Sequence, residues 1–123
     1  MNSNPVCWFE IYVQDLDRAK SFYEKVLKTE LTELQMPGME MLTFPMDMGA
    51  SGAAGALVKM DGFPSGGSGT LVYFSCDDCS TEASRVDAAG GKIEKSKFSI
   101  GEHGFIALGV DTEGNMFGLH SQK

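Results

Sequence analysis

Trp8, Glu10 and Tyr12 stand in alternate positions near the start of the chain, an indole, a carboxylate and a phenol. On an extended strand alternate side chains share one face. The spacing therefore gathers an acid between two amphipathic rings, where it can exchange a proton or pair with a cation. Burial beside such rings disfavours the charged carboxylate and raises its pKa toward the range useful for proton transfer. An isolated Glu more often faces solvent, so the strand's other face matters. That face is Cys7, Phe9, Ile11 and Val13, uniformly apolar.

Other chemistry-bearing residues are sparser. Cys76 and Cys79 form a C-x-x-C at an expected strand-to-helix turn, where a helix N-terminus stabilises thiolate. Asp77 and Asp78 lie between the thiols and oppose this, since negative charge raises a thiol pKa. Zinc needs two further ligands, and no second close Cys or His pair exists. Both cysteines read best as small buried side chains. Cys7 makes the count odd, which does not suit a disulfide framework. His103 sits in a Gly-flanked turn, and His120 near the end of the chain.

Positioning these residues requires a specific order of elements. Val6–Val13 is rich in β-branched and aromatic residues and reads as a strand. Asp15 can cap the helix that follows, with Asp17 adding favourable charge in its first turn. Leu16, Ala19, Phe22, Tyr23, Val26 and Leu27 recur at helical spacing as one apolar stripe. Glu30–Gln35 and Met39–Pro45 read as strands around a Met36-Pro37-Gly38 turn. Five of the eight methionines fall between residues 36 and 48. Core filling explains them by default; the alternative is an adaptable wall for a bulky apolar ligand. Gly49–Gly55 reads as a loop before a strand at Ala56–Met60, without the lysine and hydroxyl of a phosphate cradle.

Phe63–Gly69, F-P-S-G-G-S-G, is the clearest linker. Beyond it the plan repeats: strand Thr70–Cys76, a helix capped by Asp78 or Ser80, then strands at Lys92–Phe98, Phe105–Val110 and Met116–His120. The helix stripe is Ala83, Val86 and Ala89, ended by Gly90-Gly91. Placing Asp15 on Asp78, an offset of 63 residues, matches strand to strand and helix to helix. The expected order is βαβββ twice, in one domain spanning residues 1–123. Module one covers about 5–62 and module two about 70–121, with the linker at 63–69.

Bulk properties narrow the classes. A net charge of −7 disfavours nucleic acid and mildly favours a neutral or cationic small ligand. No apolar run approaches the roughly 18 residues of a membrane span. The first residues, M-N-S-N-P, lack the pattern of a signal peptide, so a cytoplasmic location is the expectation.

Several strings resemble the vicinal oxygen chelate superfamily of glyoxalases, bleomycin-resistance proteins and extradiol dioxygenases. They are V-Q-D-L-D-R-A-K-S-F-Y-E-K-V-L at Val13–Leu27, A-A-G-G-K-I at Ala88–Ile93, I-G-E-H-G-F-I-A-L from Ile100, and D-T-E-G-N-M-F-G-L-H at Asp111–His120. The resemblance spans essentially the whole chain. It implies an α+β fold in which two tandem βαβββ modules form a cupped mixed β-sheet with helices outside. It is closest to a branch of small glyoxalase-related proteins.

Metal-dependent relatives would place their ligands at positions held here by Trp8, by Leu71 or Thr70, by Gly118 and within Ala56–Lys59. None offers a side chain suited to a divalent ion, so no metal and no cofactor are expected. That argues against standard glyoxalase I or extradiol dioxygenase chemistry. The resemblance turns the face of the lost ligands into a cup, holding Trp8, Glu10 and Tyr12, then Leu71, Tyr73 and Ser75, then Met116, Gly118 and His120. Gly118 would leave room beside Trp8. Glu10 and His120 are the candidate catalytic groups, and Trp8, Tyr12, Tyr73, Met116 and Gly118 the candidate ligand-binding residues.

Two functions stay open. One is a metal-independent enzyme of lyase or isomerase type using Glu10 or His120 as acid or base. The other is a non-catalytic protein that sequesters an aromatic or cationic compound. Redox chemistry at Cys76 and Cys79 is a distant third. The expected partners are a small-molecule ligand and a second copy in a homodimer, with no nucleic acid and no membrane.

Overall fold

The computed structural model describes Asn4–Lys123. Along the chain run β1 (Val6–Tyr12), α1 (Leu16–Leu27), β2 (Thr32–Met36), β3 (Met39–Thr43) and β4 (Ala54–Lys59). They are followed by β5 (Thr70–Ser75), α2 (Cys79–Val86), β6 (Lys92–Ser99), a short 3₁₀ turn at Gly101–His103, β7 (Phe105–Val110) and β8 (Met116–Ser121). This is the expected α+β class with βαβββ in each half. The described residues form two compact units, Trp8–Thr70 and a second in which Leu71–Lys123 is joined by residues 4–7.

In the Trp8–Thr70 unit the strand order is β2-β3-β4-β1, with β1 and β4 parallel and the other pairs antiparallel. Alternation along β1 decides which side the helix covers. Val13, Leu31 and Leu57 form a core with Ile11, Leu42 and Phe44, and α1 closes it through Leu16, Ala19 and Tyr23. Burying a side chain such as Leu57 contributes about 1.5–3 kcal/mol. Asp15 starts the helix by accepting from the Arg18 N–H at 3.0 Å, and Lys28 ends it at a left-handed φ of 52°. The Glu24 carboxylate takes the Leu31 N–H at 2.8 Å, which fixes the exit into β2.

The six-residue stripe expected on α1 does not all face inward. Phe22, Val26 and Leu27 remain 58%, 59% and 55% exposed. Leu16, Ala19 and Tyr23 fill the space over the sheet, and the Tyr23 ring meets Phe44 edge-on at 5.6 Å. Phe22 lies about 100° further round the helix, beyond the sheet's reach. The expected loop at Gly49–Gly55 also ends early, because Ala54 and Gly55 already pair with Trp8 and Phe9. The Phe9 ring lies where a side chain at residue 55 would project, 2.5 Å from that Cβ position. Only glycine fits there.

The second unit repeats the order as β5-β8-β7-β6, again with one parallel pair, β5 and β8. Pro5 O accepts the Ser75 N–H at 2.9 Å. Asp78 caps α2 by accepting from the Ser80 N–H at 3.0 Å and pairs with Lys97 at 2.9 Å. Cys79, Ala107 and Leu119 form the core here, with Ala83, Phe74 and Phe117 packed against it. The helix ends at Val86, so Ala89 is exposed and contributes nothing to the expected stripe. β6 is an edge strand with two register shifts and three lysines, which discourages pairing with another chain.

Candidate functional site

Each unit's strands have a helix on one face, and Glu10, Tyr12, Tyr73 and His120 lie on the other. In the Trp8–Thr70 unit that face carries Trp8, Glu10 and Tyr12 from β1, as period-two spacing requires. The register sets Glu10 beside Ala56, Thr43 and Thr32 in one row across the strands. The next row is Tyr12, Val58, Met41 and Leu34. A carboxylate thus lies among small side chains, bordered by an apolar row.

Glu10 is 7% exposed and fully engaged. Tyr12 donates its hydroxyl to Oε1 at 2.6 Å, and Trp8 donates Nε1–H to Oε2 at 3.2 Å. Tyr12 is itself held by stacking on Phe63, centroids 4.9 Å apart, and by its N–H bonding Gly69 O at 2.7 Å. The expected linker therefore braces the site. None of the ion pairs found among the described residues involves Glu10. Burial pushes its pKa above the ordinary carboxylate value, while the Tyr12 and then the Trp8 hydrogen bonds pull it back in part. The result is a desolvated acid held by two neutral donors, suited to taking up a proton or a positive charge.

A cleft of about 620 Å³ opens in the same unit, lined among others by Gln14, Lys20, Leu34, Met39 and Met41. Its volume lies within the range of small-molecule sites. Leu34 and Met41 belong to the row beside Glu10. The methionine-rich stretch thus divides: Met41 is buried, whereas Met46 and Met48 are exposed. Gln14 and Lys20 had no signal in the sequence, because only the fold brings them to β2 and β3.

The second unit places Tyr73, Gly118 and His120 on its helix-free face, with Tyr73 paired to Gly118 and Ser75 to His120. The room expected at Gly118 is taken. A Cβ there would stand 2.2 Å from Tyr73 Cδ1, so the phenol ring lies directly on the glycine. His120 Nε2 is 2.6 Å from the His103 carbonyl oxygen. A carbonyl only accepts, so Nε2 carries the proton and Nδ1 is left as the acceptor in the neutral ring. Met116 is 38% exposed and lines a groove of about 440 Å³ with Val72, Phe74 and Phe117.

All three cysteines are free. Cys79 is wholly buried, and its N–H donates to Ser121 Oγ at 3.0 Å. Burial, with the Glu82 carboxylate second, pushes the Cys76 thiol up to about 11. Neither thiol is poised for nucleophilic or redox chemistry.

The positions at which metal-dependent relatives would hold an ion do not fit one. Trp8 spends its only polar hydrogen on Glu10, Leu71 is apolar, and Gly118 lies under a phenol ring. Ala56, Leu57 and Val58 are buried and carry no donor. Among the described residues, no three His, Cys, Asp or Glu side chains are grouped to hold a metal. No helix among them is long and apolar enough to cross a membrane.

Two βαβββ units with a helix on one face and polar chemistry on the other define a class of protein. The chain belongs to the Glyoxalase/Bleomycin resistance protein/Dioxygenase superfamily, whose family model matches residues 6–119. Among solved structures it is similar to methylmalonyl-CoA epimerase from Mycobacterium tuberculosis, at 18% identity and a TM-score of 0.69, covering 97% of this chain and 88% of that one. A hypothetical protein from Bacillus halodurans C-125 is 14% identical with a TM-score of 0.74, covering 99% and 96%. A superfamily member from Vibrio splendidus 12B01 is 22% identical with a TM-score of 0.65, covering 94% and 97%. At these identities the likeness is one of fold. Comparison with curated proteins found no match.

Proposed function

We propose that this protein takes up a small molecule against the Glu10 face of the Trp8–Thr70 unit and acts on it without a resident metal. Glu10 exchanges a proton with the bound molecule in lyase- or isomerase-type acid–base chemistry. The observation that carries this reading is the buried Glu10 carboxylate, held by Trp8 and Tyr12 without an ion-pair partner within the described residues. Its raised pKa brings proton transfer closer to neutral pH. Tyr12 stabilises the carboxylate when the proton leaves, so the two groups work as one acid–base pair. The fold likeness to an epimerase, an isomerase by name, fits that class of reaction.

A second reading has its own support. The cleft that Met39 and Met41 help to line also carries the carboxylates of Asp15, Asp17, Glu33 and Glu40, which suit a cationic ligand, and methionine adapts to varied shapes. Glu10 would then pair with a ligand's positive charge between the rings of Trp8 and Tyr12, in a sequestering protein. Deuterium exchange separates the readings. Wild-type protein and Glu10→Gln are incubated in heavy water with pooled small-molecule extracts, and the ligands are examined by mass spectrometry. Deuterium on a ligand carbon with wild type, absent with Glu10→Gln, identifies the enzyme. Ligands retained unaltered by wild type and released by Glu10→Gln identify the sequestering protein. Equal retention by both proteins, without exchange, overturns the Glu10 site.

A further inference from the structure

Phe63 is the one large side chain in the Phe63–Gly69 stretch, which is otherwise proline, serine and glycine. Its ring stacks on that of Tyr12, with centroids 4.9 Å apart and planes 29° from parallel. Tyr12 is the residue whose hydroxyl reaches Glu10 Oε1 at 2.6 Å. The single anchor of the loop therefore lands on the ring that holds the carboxylate.

The backbone carrying Phe63 is held on both sides. Its N–H donates to Met60 O at 3.2 Å, and its carbonyl oxygen accepts from Gln14 Nε2 at 3.4 Å. Pro64 restricts the residue before it to extended conformations, which narrows the directions open to the ring. The far end of the loop is tied to the same strand, where Gly69 O accepts the Tyr12 N–H at 2.7 Å.

Hydrogen-bond geometry makes this placement matter. Such a bond weakens steeply as its angle departs from linear. A phenol hydroxyl sits at the far end of a rigid ring, so a small rotation near the backbone moves it far. Removing the ring stacked on Tyr12 gives the phenol room to turn, and its hydroxyl then leaves the carboxylate.

We propose that Phe63 is a positioning residue of the Glu10 site, acting through Tyr12 by keeping the phenol within hydrogen-bonding range of the carboxylate. The proposal rests on the reading of Glu10 given above and extends that site to the loop. It separates Phe63 from a plain apolar anchor, for which any side chain of similar bulk would serve. By linkage, whatever lifts Phe63 from Tyr12 also tightens the hold of Glu10 on its proton.

A pH titration of the full chain tests it. The ¹⁵N indole signal of Trp8, whose Nε1–H donates to Glu10 Oε2, reads the charge of the carboxylate. Tyr12→Phe removes a bond that pulls the Glu10 pKa down, and its higher midpoint sets the reference. Phe63→Ala is expected to move the midpoint in the same direction, by about half a pH unit or more. Phe63→Tyr keeps a stacked ring and is expected to titrate as wild type does. Phe63→Leu keeps apolar bulk without a flat face; it is expected to fall between, and it serves if the alanine variant does not fold. In a Tyr12→Phe background Phe63→Ala is expected to add nothing, because the bond it protects is already gone. A midpoint that stays put or falls in the folded Phe63 variants would overturn the inference. So would a shift that persists undiminished with Tyr12→Phe. A wild type without a step above the ordinary 4.5 would overturn the Glu10 reading and the inference together.

Discussion

Glu10 and Tyr73 occupy the same place in the two halves of the chain. Each is the central residue of the helix-free face of its first strand, related by the offset that relates the caps Asp15 and Asp78. Each pairs across a parallel ladder with a small residue, Glu10 with Ala56 and Tyr73 with Gly118. The consequences differ. Beside Ala56 the carboxylate is held by its own strand neighbours Trp8 and Tyr12. Over Gly118 the phenol ring fills its own hollow. The duplicated frame therefore holds a buried carboxylate at one position and is closed by packing at the other.

Burial raises the Glu10 pKa above its ordinary value of 4.5, so the folded state holds this proton more tightly than the unfolded chain. Between the unfolded and the folded pKa the native state binds more protons, and stability falls as pH rises. Glu10→Gln removes that dependence. Melting temperatures of the two proteins are expected to agree well below pH 4.5 and to diverge toward neutral pH, with wild type the lower. The difference isolates Glu10, because Asp78 and Asp111, whose pKa values hydrogen bonds depress, act with the opposite sign in both proteins. A flat difference between the two curves would contradict the assignment.

Gly118→Ala tests the closed position. Its Cβ would stand 2.2 Å from Tyr73 Cδ1, so the buried ring or the backbone must shift. Such overpacking costs about 1–3 kcal/mol in urea denaturation. Most of that cost is expected to vanish in a Tyr73→Ala background, which removes the clashing ring. Strict additivity of the two changes would mean the ring is not what occupies the space.

Cysteine chemistry is expected to be dispensable. With the Cys76 thiol pushed up to about 11, thiolate is scarce at neutral pH. A thiol-specific reagent should label Cys76 in the folded protein far more slowly than in urea. Cys76→Ser and Cys79→Ala should both retain the fold. Rapid labelling of native Cys76 at neutral pH, or loss of function on its replacement without loss of fold, would return redox chemistry to consideration.

Much of this arrangement was legible locally, and the exceptions share a cause. Asp15 and Asp78 were readable as caps because a cap acts within three residues of itself. The grouping of Trp8, Glu10 and Tyr12 was readable because period two is a property of one strand. Which of α1's apolar residues face inward was not, since Phe22 and Tyr23 are adjacent and only the distant Phe44 chooses Tyr23. Gly55 read as loop because its role, lying beneath the Phe9 ring, depends on a strand far away in sequence. The His120 contact with His103 O crosses a turn whose geometry no local pattern encodes. Local periodicity reported faces and caps, while non-local packing decided occupancy.

The single tryptophan reports on the proton exchange proposed for Glu10. Trp8 Nε1–H donates to Glu10 Oε2, so the one indole resonance in a ¹⁵N-labelled sample senses the charge of that carboxylate. A pH titration of this signal is expected to show a step above the ordinary carboxylate pKa of 4.5, absent in Glu10→Gln. A retained or added ligand is expected to shift the same signal. A step at or below that ordinary value, or ligands that bind while leaving the indole signal unmoved, would contradict the assignment.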